Sequence, residues 1–258
     1  MFHVDLAISD LMGHRVELRA QIPRPGGRPV KSGTVYDQTP EEEAFHRWQK
    51  REFREVERIT AAVWRKALEE LDLVAVGEEM RSLGFTHKVC KTLADAKAAA
   101  DALVNGTSKP LARLALAAQF FRIPQQLHEP IIRRWQSSGA RTLSEFAPYA
   151  AYALTVEIFF QVALGARLIG GERPSNRTDI AYLFYLPFSM VFVSSDDLHR
   201  RTAPLFMRSD QELVWGLDLK PALKAINDHF LQLSENERDK GISSFARVPP
   251  EGNLVAEL

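Results

Sequence analysis

The stretch that most constrains this chain runs from Arg173 to Phe206, RPSNRTDIAYLFYLPFSMVFVSSDDLHRRTAPLF. Pro174, Ser175 and Asn176 cluster as a helix start. The reading puts Asp179 in the first turn, where an acidic side chain complements free backbone N–H groups. Ile180, Ala181, Leu183, Phe184 and Leu186 make the helix short and apolar, and Pro187, which has no N–H, stops it. Ser189 to Ser194 is rich in β-branched and aromatic residues and reads as a buried strand. Asp196 and Asp197 follow, opening a second helix towards His199, Arg200 and Arg201. A helix packed on a parallel sheet runs antiparallel to its strand, so the helix N-terminus and the strand C-terminus share an edge. Asp179 and Asp196 would then face one crevice, where open α/β folds place their ligands. Two carboxylates with no basic partner between them are a poor structural pair and a good pair for a hard cation. Each alone also reads as a helix cap, so both accounts stand.

The remaining chain is ordinary in balance. Its 258 residues suit one large domain or two small ones, and 45% hydrophobic with 26% charged residues is a soluble globular composition. Lys plus Arg equals Asp plus Glu at 33 each, which removes any argument from bulk charge for nucleic-acid binding. A local basic rim of Arg173, Arg177, Arg200 and Arg201 is still compatible with it. The most apolar segment, Ala147 to Gly165, contains Glu157 and Gln161, so no membrane span is expected. One cysteine, Cys90, excludes an internal disulfide, and no basic-then-apolar leader opens the chain. The expected location is cytoplasmic.

Taken in order, Phe2 to Ile8 alternates as a short strand that would carry Asp5 or Asp10 near its end. Residues 13–38 read as a Gly- and Pro-rich loop with room for one edge hairpin. Thr39-Pro40-Glu41-Glu42 is a helix start, with apolar periodicity from Phe45 to Leu71 predicting one long helix to Glu70. Leu73 to Val76 is either a strand or that helix continued. Helices follow over Lys91–Asn105 and Leu111–Phe121, and Pro124 and Pro130 are expected to break the chain before Ile131. A helix from Thr142 resumes after Pro148 and reaches Leu168. From Phe146 to Ala166 its only formal charge is Glu157, a carboxylate too costly to bury unless paired or metal-bound. A narrow polar stripe shared with Gln161 is the other way to accommodate it. Gln211 to Trp215 reads as a last strand, Leu219 to Leu233 as an amphipathic helix, and 234–258 as a loosely held tail.

A helix-opening Asp179, a strand, and then Ser194-Ser195-Asp196 resembles the C-terminal half of PIN-like nuclease domains. The wording DIAYLFYLPFSMVFVSSDDLHRR is similar to uncharacterised bacterial PIN-like proteins. The resemblance covers about Ala147 to Phe230, is thin at the N-terminus and is absent from about 38–138. It implies a PIN-like α/β fold: a parallel sheet flanked by helices, with a large helical insertion. The domain would span 1–233, with its core in about 1–12 and 140–233 and the insertion in about 38–138. It further implies clustered carboxylates holding Mg²⁺ or Mn²⁺ and hydrolysing RNA, single-stranded RNA being the expected substrate form. Asp5, Glu157, Asp179 and Asp196 take the catalytic positions, with Asp197 beside Asp196 as a further metal ligand. Asp10 is the alternative to Asp5, and Glu69, Glu70, Glu78 or Glu79 to Glu157. Arg177, Arg200 and Arg201 would meet phosphates.

Two rivals accompany the nuclease. A non-catalytic protein-binding module would use the helical block from Thr39 to Gln136 to dock a partner, the α/β core serving as a degenerate support. A phosphohydrolase acting on nucleotides would use the same acids. His87-x-x-Cys90 lacks a second ligand pair, and the chain contains no HExxH, P-loop, GxGxxG or nucleophile elbow.

Overall fold

The computed structural model of the chain describes residues 2–16, 26–30, 33–37, 40–240 and 248–258. The helix-capping role expected of Thr39 and parts of the loop expected over 13–38 lie outside them.

The organising element is helix α9, Pro148–Gly165, of whose 18 residues 15 are buried. A helix apolar on every side needs neighbours on every side. α9 finds them in α1 (Phe2–Leu11), α4 (Leu73–Ser82), α5 (Leu93–Asn105), α6 (Pro110–Phe120) and the short α8 (Leu143–Phe146). Against α4 the fit is tight at Gly165. A methyl group added at Gly165 would come within 2.7 Å of Met80 Cβ and 2.8 Å of the Phe85 carbonyl oxygen.

Local chemistry starts most of these helices. Thr92 with Asp95, and Thr142 with Glu145, form capping boxes for α5 and α8. Asp72 caps α4 through Ala75 N at 2.9 Å, which makes Leu73 to Val76 helical and separate from the helix before it. Pro110 occupies the first position of α6. Where a helix of 39–70 is expected, there are two, α2 (Pro40–Gln49) and α3 (Glu55–Glu69). Arg51 has a left-handed φ of 62° between them. The Arg47 guanidinium then grips the Glu57 carboxylate with both nitrogens, at 2.7 and 3.2 Å, and clamps the corner. In α7 (Gln125–Ser137), Pro130 lies inside the helix instead of breaking it. Both Pro130 and Gln126 are exposed, so the missing helical bond falls on the outer side of α7.

The expected PIN-like α/β fold is not what forms. The protein is mostly helical, with two sheets of two strands each among the described residues. β1 (Gly26–Val30) and β2 (Gly33–Asp37) make an antiparallel hairpin. β3 (Val191–Ser194) and β4 (Glu212–Trp215) pair in parallel, Val191 opposite Glu212 and Ser194 opposite Trp215. The first strand of a PIN-like sheet would be Phe2–Ile8, and that segment is α1. Its buried positions are His3, Leu6, Ala7 and Leu11, a helical spacing aimed at α9, so the period of 3.6 defeats the apparent alternation. In this two-stranded sheet β3 leaves Val191 and Val193 exposed and is not the buried strand expected.

The segment before β3 begins as α10 (Ser175–Ala181) and tightens into a 3₁₀ helix, Tyr182–Phe188, that includes Pro187. α11 (Asp197–Thr202) bridges β3 and β4, and α12 (Gly216–Leu231) follows directly from β4. At the C-terminus α13 (Glu235–Arg238) carries a capping box from Ser234. A final turn, Leu254–Glu257, lies on α12, where Asn253 Nδ2 donates to the Ala222 carbonyl at 2.9 Å. No helix among the described residues is long and apolar enough to cross a membrane.

Candidate functional site

Two places collect polar side chains. The first is the corner where β3 enters α11. Asp196 caps α11, its Oδ1 accepting from Leu198 N at 2.7 Å and His199 N at 3.2 Å. The Ser194 hydroxyl accepts from Asp196 N at 3.0 Å and lies 2.7 Å from His199 Nδ1. His199 Nε2 lies 2.7 Å from the Asp179 carbonyl oxygen and carries the hydrogen there, because a carbonyl only accepts. In the neutral ring Ser194 is therefore the donor to Nδ1. This chain of bonds ties β3, α11 and α10 together around a buried imidazole. It also brings Asp179 towards Asp196: burial first, and then the Asp196 charge, push the Asp179 carboxyl above its usual value, while His199 pulls the other way. Asp179 is the fifth residue of α10, past the first turn in which it was expected.

The other expected carboxylates go elsewhere. Asp5 is exposed on α1, a helix instead of a strand end. Asp10 caps α9 from a distance, its Oδ2 accepting from Tyr149 N at 2.7 Å and Ala150 N at 3.0 Å. Burial pushes the Asp10 carboxyl up, and those two bonds with the Arg134 charge oppose the rise. Asp197 is exposed in the first turn of α11. Glu70, Glu78 and Glu79 are exposed, the first two beside Lys66 and Arg81 at 3.8 Å, and the Glu69 side chain lies outside the described set. No group of three or more His, Cys, Asp or Glu residues is placed to hold a metal ion among the described residues. The arginines are also engaged. Arg200 lies over the Trp215 ring at 5.3 Å, and Arg201 Nη2 donates to the Leu168 carbonyl at 3.1 Å.

The second place is built on Glu157, whose carboxylate is buried on α9 between Arg177 of α10 and His3 of α1. His3 Nε2 is 3.3 Å from Oε1, and Arg177 Nη2 donates to the same oxygen. Burial pushes the Glu157 carboxyl up, but the His3 hydrogen bond and the Arg177 charge outweigh it and hold the group below its ordinary value. The polar-stripe alternative for Glu157 therefore gives way to a paired, buried carboxylate. The His3 ring stacks on Phe184 with centroids 3.9 Å apart.

Above these residues opens a cleft of about 480 Å³, walled by Trp64 and Leu68 of α3 and by Tyr182 and Phe184 of the 3₁₀ helix. Arg177 and Thr178 line it, and Arg177 Nη1 and Thr178 Oγ1 are both buried with no hydrogen-bond partner among the described residues. Sequence reasoning names Arg177 and Glu157 separately and misses His3 and Thr178. The signal was present in Glu157 itself, since a lone buried carboxylate demands a cation. Which cation answers the demand depends on how α1 and α10 fold back on α9. No protein-family model matches the chain, and neither does any curated protein or solved structure.

Proposed function

We propose that the chain is a non-catalytic protein-docking module that pairs through α3 with a second copy of itself. The carrying observation is the outer stripe of α3. Val56, Ile59, Val63 and Trp64 are between 53% and 65% exposed along this helix, and Phe45, Trp48 and Phe53 of α2 and the corner are exposed as well. Exposed apolar side chains in this number suit an interaction site. A second copy is the occupant proposed, because a two-fold axis sets one such apolar stripe against another; an antiparallel pairing places Ile59 and Val63 of both helices at the centre. Sedimentation equilibrium tests it: the native chain is a dimer, and the Ile59→Glu/Val63→Glu double variant is a monomer of unchanged helical content. A native chain that stays monomeric at every concentration examined refutes the pairing.

One observation favours a second reading, metal-dependent phosphodiester hydrolysis. Asp179 and Asp196 lie close enough to influence each other's charge, and two such carboxylates offer hard oxygen ligands to Mg²⁺ or Mn²⁺, which supplies an activated water when bound. Asp5 lies apart on α1 and Glu157 is neutralised by Arg177, so neither supports this reading. Thermal unfolding with Mn²⁺ separates the two. A midpoint raised in the native chain and unmoved in Asp179→Asn/Asp196→Asn supports the cation pair, and Asn at 196 preserves the helix cap. RNA cleavage by the metal-loaded chain would then displace the docking module.

A further inference from the structure

The corner between α6 and α7 holds a second cleft, away from Glu157. Arg122 N donates to the Gln119 carbonyl at 3.1 Å and Ile123 N to that of Ala118 at 2.9 Å, which ends α6, and Pro124 leads into α7. His128 Nε2 donates to the Ile123 carbonyl at 2.9 Å, because a carbonyl only accepts, and pins the first turn of α7 to the corner. The helices so held leave a cleft of about 400 Å³, within the range of about 300–1,000 Å³ usual for small-molecule sites. Among the described residues, none of α2 or α3 lines it, so it is separate from the pairing surface.

Two properties of the lining select a ligand. The wall is aliphatic and open to solvent: Leu111 and Ala115 are exposed, and Ala118 and Ile132 are half-buried. Among the described residues lining the cleft there is no Phe, Tyr or Trp, so a flat ring has no face to stack on and a flexible alkyl chain fits better. The rim is cationic. Arg122 lines the cleft, is exposed, and its side chain has no hydrogen bond or ion pair with any described residue. No carboxylate accompanies it among the described lining residues. An ammonium head would be repelled there. A carboxylate matches the guanidinium, whose parallel N–H groups suit its two oxygens.

We propose that this cleft binds an unbranched aliphatic monocarboxylate, its chain lying along Leu111, Ala115, Ala118 and Ile132 and its head paired with Arg122. NMR titration of the methyl-labelled full chain at neutral pH tests it, with octanoate, octanol and octylamine as probes. The Ile132 methyl shifts saturably with octanoate. Octanol, which lacks the charge, binds about three- to tenfold more weakly, the worth of a charge-assisted pair at an exposed arginine, and octylamine binds more weakly still. Each CH₂ removed from octanoate lowers affinity about two- to fourfold.

The discriminating variant is Arg122→Gly. It deletes the cation and relieves the left-handed φ of 49°, so it should melt no lower than the native chain. Its affinity for octanoate should fall about three- to tenfold and its affinity for octanol should hold. Ala115→Trp, which fills the cleft from an exposed position of α6, should abolish binding of both. An Ile132 methyl that octanoate leaves unmoved overturns the proposal. So does octanol binding as tightly as octanoate, or an unchanged octanoate affinity in Arg122→Gly. A saturable shift at Ile59 in place of Ile132 moves the binding to α3 and overturns it too. An Ile132 shift that follows protein concentration without ligand does the same, because a second copy then covers the cleft.

Discussion

Helices α9 and α3 are comparable in length, 18 and 15 residues, and dispose of their apolar side chains in opposite ways. α9 is apolar on all sides and buried over most of its length, so its single charge must carry a partner into the core. α3 is amphipathic, and its apolar stripe faces outward while Leu68 turns to the cleft. In α9 the hydrophobic effect is complete within one chain, and the residual problem is electrostatic. In α3 the electrostatics are settled locally by the Arg47–Glu57 clamp, and the residual problem is uncovered apolar area. The same force thus holds the body together and leaves α3 with uncovered apolar area.

The comparison breaks most sharply at Glu157. Replacing it with Ala leaves Arg177 buried without its counter-charge, and urea unfolding should show a loss of about 3–5 kcal/mol. On α3, Ile59→Glu alone should change the stability of the isolated chain by less than about 0.5 kcal/mol, since that position is exposed. A large loss at Ile59 under monomeric conditions would mean that the stripe is covered within the chain.

Packing around α9 gives the next effect. Gly165→Ala forces a methyl group against Met80 and the Phe85 carbonyl, and the midpoint should fall by the equivalent of about 1–3 kcal/mol. Gly84, which has open space around it but a left-handed φ of 96°, makes a control in which any cost comes from backbone conformation and not from crowding.

Acid should also distinguish the two regions. The folded Glu157 carboxyl titrates below its ordinary value of 4.5, so the triad's stabilisation is fully present above that value. It is lost as pH falls through the lower, folded-state value. Melting the native chain and Glu157→Gln from pH 6 downwards to about pH 2 should show a steeper decline in the native chain below the ordinary carboxylate value. Equal slopes would place the acid sensitivity elsewhere.

The smallest effect belongs to the remote cap. Asp10→Ala removes the acceptor for two backbone N–H groups at the start of α9 and should cost about 1 kcal/mol, while Asp10→Asn, which keeps an oxygen there, should retain most of it. If both variants lose equally, the carboxylate's charge and not its acceptor is what matters at that helix end.

Much of the helical framework was legible because it is written locally. Thr92 with Asp95, Thr142 with Glu145, and Pro110 announce their helices within four residues of chain. The short apolar runs at 191–194 and 212–215 announced strands, and those strands pair in parallel. The step from two such strands to a PIN-like sheet failed at the N-terminus, where Phe2 to Ile8 satisfies both an alternating and a helical pattern. Only the need to cover α9 decides between them. The approach of Asp179 to Asp196 was also anticipated, but for the wrong reason: a buried His199 joins their elements, and no extended sheet edge is involved.

By itself the sequence determined the existence of several helices and one demand, that a lone glutamate in an apolar helix find a cation. Those are short-range or single-residue requirements, and each can be read without knowing the neighbours in space. The tertiary structure alone decided that His3 and Arg177 meet the demand, that Asp10 caps a helix starting 138 residues later, and that Thr178 is left without a partner in a cleft. Residues far apart in the chain settle these matters. Hydrophobic burial, which brings them together, depends on area and carries no direction, so it selects the meeting and writes no motif.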